Sequence, residues 1–173
     1  MLNALRRSAE TRRLAGQLYT QIVARSRRPE FFTALQVPDT MDGRFDLLAL
    51  HAWLALEALR NGNMGDLSQR LTDALFAGFD EALREQGAGD IGMPRRMKKF
   101  ADAFYGRLEA YTAAETEAAL RDAILRNVYR GEEQHAEAAS DLAHYCWRAR
   151  SHVAAEKLAA GELDFGSLPG TKQ

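Results

Sequence analysis

The stretch "FDLLALHAWLALEAL", Phe45–Leu59, limits the fold more than any other part of the chain. At about 100° per residue, Leu48, Ala52, Ala55 and Leu59 form one helix face, with Leu47, Leu54 and Ala58 flanking it. Leu50 and Trp53 occupy the remaining side, near Asp46 and Glu57. A helix that is apolar nearly all round can be satisfied inside a bilayer or at the centre of a bundle. The bilayer needs about 20 apolar residues in a row, and this run is interrupted by Asp46, His51 and Glu57. The stretch therefore predicts a near-fully buried central helix, which the rest of the chain must cover.

The remaining periodic segments have the helical repeat, and none alternates apolar and polar residues as a half-buried strand does. The expected fold is all-α: a single-domain bundle of about six helices over residues 1–160, followed by a flexible tail, 161–173. The 173 residues, 46% of them hydrophobic, suffice for one core. Helix one is expected from about Ser8 to Ser26. The start "MLNALRRSAETRRLAG" is Arg-rich like a transit peptide, but Leu14, Leu18, Ile22 and Val23 continue its apolar stripe, which favours a structural helix. Pro29 opens a short turn. A second helix runs to about Arg60. A third has Asp66 and Gln69 spaced as a capping pair and buries Leu71, Leu75, Phe79 and Leu83. A fourth opens at Pro94, and a fifth covers about Glu115–Val128. A last helix is expected over Glu132–Ala160, after a possible stop at Gly131.

Chemistry is hard to assemble from this sequence. Glu132-x-x-His135 has the spacing of a di-iron ligand pair, but its only companion, Asp141-x-x-His144, points the opposite way on the same helix. Phosphate loops, nucleophile elbows and dinucleotide fingerprints are absent. Cys146 sits among small and apolar residues as a core thiol, and His51 reads as a core histidine with one hydrogen-bond partner. No catalytic residue, metal or cofactor is expected. Trp53 is either covered by another helix or part of a partner surface.

The helix at Pro94 poses a question. Arg95, Arg96, Lys98 and Lys99 crowd its first two turns, where the free backbone N–H groups already make the field positive, a placement disfavoured by about 0.3–1 kcal/mol per exposed cation. Met93, Met97, Phe100, Phe104, Leu108 and Tyr111 share its core face, whereas Arg95, Lys98, Lys99 and Gly106 face away. A glycine in an exposed helix interior costs about 1 kcal/mol against alanine. The cluster, with Tyr105 and Arg107 at its edges, suits an acidic or phosphate-bearing partner; the alternative is a face solvated by pairs such as Lys98–Asp102. With a net charge of -1, any anion recognition has to be local. Asp39, Asp42, Gly43 and Arg44 either form a turn that positions the central helix or touch a partner.

Three stretches, in this order, resemble the ubiquinol–cytochrome c chaperone family: "LYTQIVARSRRPEFFTALQVPDTMDGRFDLLALHAWL" (Leu18–Leu54), "GDIGMPRRMKKFADAFYGRLEAYTAA" (Gly89–Ala114) and "LRNVYRG" (Leu125–Gly131). The V-P-D…D-G-R-F-D and F-Y-G-R…A-Y elements are specific in combination. The resemblance implies an all-α, non-enzymatic assembly factor for the ubiquinol–cytochrome c reductase complex. Its implied partners are nascent or newly inserted cytochrome b, a companion assembly factor or the ribosome, with peripheral membrane contact and neither DNA nor a small-molecule substrate. The implied location is cytoplasmic and peripheral at the inner membrane for a bacterial member, or the matrix side for a mitochondrial one. A helical RNA- or phosphate-binding module associated with the ribosome is the alternative function.

Overall fold

In the computed structural model, residues 2–85, 87 and 92–170 are described, with side chains from Arg6 onward. The elements in chain order are α1 (Leu2–Ser26), α2 (Pro29–Thr33), α3 (Met41–Asn61), α4 (Gly65–Glu85), α5 (Met93–Thr112), α6 (Glu117–Val128), a single 3-10 turn (Glu133–His135), α7 (Ala136–His152) and α8 (Ala155–Ala159). Six of these are long, no strand occurs among the described residues, and the class is all-α as expected. No helix among the described residues is long and apolar enough to cross a membrane.

Helix α3 is the axis, packed against α1, α4, α5, α6, α7 and α8. Even its Asp46, His51 and Glu57 are buried. The capping threonines fix two helix starts: Thr40 Oγ1 accepts from the Gly43 N–H and Thr116 Oγ1 from the Ala119 N–H. The expected capping pair of α4 does not form. That helix begins one residue earlier, at Gly65, and Gln69 instead donates along the surface to Asp73 at 2.9 Å. Helix α6 stops as read: Arg130 and Gly131 take positive φ, and the Gly131 N–H closes on the Leu125 carbonyl at 2.9 Å.

The C-terminal region departs from the reading. The last helix is broken at Val153, whose extended backbone (ψ 95°) lets α8 turn back and bury Leu158. Of the loose tail expected over 161–173, residues 171–173 lie outside the described residues, and 161–170 are packed as a strap along α1. The Gln21 amide grips the strap's backbone twice, donating to the Gly161 carbonyl (2.8 Å) and accepting from the Leu163 N–H (3.1 Å). Arg25 donates to the Gly166 carbonyl at 2.7 Å, and Phe165 is buried edge-on to His51. No local pattern marks this segment, because its partners lie some 140 residues earlier in the chain.

Candidate functional site

Helix α5 carries most of the residues singled out from sequence. Its cap, Gly92, offers no side-chain acceptor, and Met93, Phe104 and Tyr111 anchor its inner face. Arg95, Arg96, Lys98 and Lys99 are all exposed. Lys98 meets Asp102 at 3.0 Å, but the side chains are 77% and 67% exposed, so the pair contributes at most about 1 kcal/mol. Among the described residues, Arg95, Arg96 and Lys99 have no ion-pair partner. A Cβ at Gly106 would meet open space. Tyr105, half exposed, stacks on Phe76 with 5.8 Å between ring centres.

Arg107 does not belong with them. Its Nε donates to Oδ1 of the buried Asp46 at 2.6 Å, its Nη1 to the Ala103 carbonyl, and its guanidinium lies 4.9 Å from the Phe45 ring centre. Arg130 approaches the other carboxylate oxygen of Asp46 at 2.9 Å, in a geometry too poor for a hydrogen bond. Burial pushes the Asp46 carboxyl above the usual carboxylate range, with the two guanidiniums pulling it back. Arg107 is thus a member of the core, and only a residue 61 positions away explains it.

Met41–Arg44 form the first turn of α3 and Asp39–Thr40 lead into it, so the turn expected at Asp42–Gly43 is helical instead. Arg44 bonds Asp39 at 2.7 Å, and a Cβ on Gly43 would fall 1.9 Å from the Pro38 carbonyl oxygen, a backbone atom that cannot step aside. Asp42 lies 3.8 Å from Arg130, at the edge of the Asp46 cluster. These contacts set the angle at which the chain enters α3.

An open trough of about 940 Å³ runs between α3, α4 and α5, lined by Trp53, Leu56, Arg60, Tyr105 and Leu108 among others. Trp53 is both covered and a lining residue. Its indole N–H donates to Thr112 at 3.1 Å, and the Tyr111 ring lies 5.5 Å away. Behind it, the Arg150 guanidinium sits 5.4 Å from Trp53 and 5.0 Å from Trp147 while forking onto both oxygens of the buried Glu57 at 2.8 Å. This cation–π and carboxylate bridge links α3 to α7 and was not legible in the sequence, since Arg150 and Glu57 are 93 residues apart.

Among the described residues, reactive groups do not converge. His51 is fully buried and held by two partners rather than one: Leu47 O at 2.7 Å and Tyr145 Oη at 2.9 Å. Desolvation pushes its pKa down to about 4, so the ring is neutral. Burial likewise pushes the Cys146 thiol up, away from thiolate chemistry. Glu132 and His135 stand 3.6 Å apart, and His144 turns to Glu117 at 3.0 Å. No group of three or more metal-ligating side chains is found among the described residues.

A family model described as Ubiquinol-cytochrome C chaperone matches residues 33–164. The crystal structure of the Cbp3 homolog from Brucella abortus superposes with a TM-score of 0.83 and 37% sequence identity, covering 96% of this chain and 97% of that one. No curated protein sequence matches the chain.

Proposed function

The chain belongs to the ubiquinol–cytochrome C chaperone family, and on that premise we propose that it is an assembly factor of the ubiquinol–cytochrome c reductase complex that holds newly made cytochrome b by protein–protein contacts. The observation that carries this reading is the extent of the family match, which includes α3, α4, α5 and α6 whole and so spans the trough and the basic start of α5. A non-enzymatic role agrees with it, because the buried Asp46, His51 and Glu57 are committed to internal partners.

Within this reading, Arg95, Arg96, Lys98 and Lys99, with Tyr105 and Gly106 beside them, form the electrostatic contact to a client, a companion factor or the ribosome at the membrane surface. Three of the four cations lack any internal carboxylate, so the unfavourable placement at a helix start is not compensated within the described fold. An acidic partner surface supplies that compensation.

The test is capture from a native, membrane-containing lysate, followed by identification of the bound polypeptides. Cytochrome b and reductase subunits are expected with the unaltered chain and less of both with K98E/K99E. Recovery of soluble metabolic enzymes alone would overturn the assembly role, and capture abolished by ribonuclease would assign the basic start of α5 to RNA.

A further inference from the structure

A second site lies at the junction of α1, α3, α4 and the start of α5. There a hollow of about 300 Å³ is walled by Tyr19, Val23, Leu48 and three aromatic rings. The rings of Phe45, Phe79 and Phe100 lie 5.1–5.6 Å apart, centre to centre. Gly78 belongs to the same wall: a Cβ there would stand 2.1 Å from the Tyr19 hydroxyl, so the glycine leaves room for the end of the Tyr19 ring. A neighbouring hollow of similar size is lined by Pro29, Phe32 and Thr33. Arg27 and Arg44 line both hollows, so two apolar chambers meet across two guanidiniums.

The charges there are available. Arg25 and Arg28, on either side of Arg27 in sequence, are engaged with Tyr145 and the strap and with Glu30, whereas Arg27 has no ion-pair partner among the described residues. Arg44 has Asp39 at 2.7 Å, but both side chains are more than half exposed, and such a pair exchanges readily for another carboxylate. Arg96 precedes Phe100 by one helical turn on the same side of α5. Met41, one of two large apolar residues left exposed among the described residues, stands on the rim, where Thr40 already caps α3.

We propose that this double hollow docks an acidic amphipathic segment of a protein partner, with an apolar side chain in each chamber and carboxylates on Arg27 and Arg44 between them. Planar guanidiniums take carboxylates in forked pairs, which fixes the register of the segment. A lipid surface suits the site less well. Glu85 edges the first chamber and Asp39 the second. A plane of phosphates would press against both carboxylates, whereas a peptide places its charges one at a time. This site rests on the assembly-factor reading and names the chemistry of one partner contact within it.

The probe is a set of fluorescein-labelled peptides with an Asp-Glu core between two Leu or Phe residues, titrated onto the full chain by anisotropy. Lys-core peptides, Ala-flanked peptides and phosphatidylglycerol vesicles serve as comparators. The acidic, apolar-flanked peptides should bind, weaken several-fold in about 0.5 M salt, and lose about tenfold or more in affinity with R27E/R44E. Both arginines are exposed and the Arg44–Asp39 pair, itself more than half exposed, contributes at most about 1 kcal/mol, so the variant should melt within a few degrees of the parent. Acidic peptides binding no better than Lys-core ones, unchanged binding to R27E/R44E, or binding of vesicles alone would overturn the proposal. Cells lacking the chain separate the two readings. Intact reductase in those cells removes the assembly role whatever the peptides do; lost reductase fully restored by R27E/R44E removes only the docking site.

Discussion

The Tyr145 hydroxyl stands 2.9 Å from His51 Nε2 and accepts from Arg25 Nε at 3.0 Å, while His51 Nδ1 lies 2.7 Å from the Leu47 carbonyl. A carbonyl only accepts, so Nδ1 carries the proton, Nε2 accepts from Tyr145, and the ring is satisfied in its neutral form. Arg25 then continues to the strap at Gly166. One buried relay thereby ties α1, α3, α7 and the C-terminal segment together.

That relay sets a pH dependence. Native His51 has a pKa near 4 against an ordinary 6.5, so between those values the unfolded chain binds a proton that the native chain does not. Stability is fully present above pH 6.5 and falls as pH drops toward 4, by at most about 3.5 kcal/mol at about 1.4 kcal/mol per unit. Denaturant unfolding from pH 7.5 to 4.5 should show this slope. His51→Gln should flatten it, at some cost in stability at neutral pH.

Removing one partner of the Asp46 cluster is expected to cost more than removing the charge. Arg107→Ala leaves a fully buried carboxylate with only the poorly aligned Arg130, a loss of about 3 kcal/mol. Asp46→Asn should cost less, because Arg130 is largely exposed and Arg107 retains its bond to Ala103. The double variant should fall short of the sum in a double-mutant cycle. Additive losses would show that the two side chains do not act as a pair.

Two glycines should respond oppositely to alanine. Gly43→Ala drives a Cβ into the Pro38 carbonyl and is expected to cost about 2 kcal/mol, or roughly 4–8 °C in Tm. Gly106→Ala meets open space in an exposed helix interior and should raise stability by about 1 kcal/mol. Calorimetry on the two variants decides both signs.

Phe165→Ala tests whether the strap belongs to the folded unit. The ring is 5% exposed and covers His51, so its loss should cost about 3 kcal/mol. Admitting water to the imidazole should also raise the pKa of His51, read from its ring-proton NMR titration. An unchanged melting temperature and titration would mean the strap contributes nothing to the core.

For K98E/K99E, stability and capture should move apart. Exchanging cations for anions near the start of α5 improves the interaction with the helix dipole, so Tm is expected to hold or rise even though the Lys98–Asp102 pair is lost. A fall of several degrees would show that the lysines support the fold.

Local repeats and a run too apolar for any surface were enough for the helical class, the central position of α3 and the start of α5. The sequence also marked Gly131 as the stop after α6 and the basic cluster as misplaced for a simple helix, whereas Gly43, read as a turn residue, lies within α3 and is required by the close approach of Pro38. The features that packing supplied are pairs far apart in the chain. Arg107 joins the core through Asp46, Arg150 reaches Glu57 between two indoles, and a segment with no periodicity becomes a strap because Gln21 and Arg25 await its backbone. Periodicity reports which side of a helix avoids water, but not which charge on another helix meets it there. Whether an arginine serves the core or a partner is therefore settled only by packing.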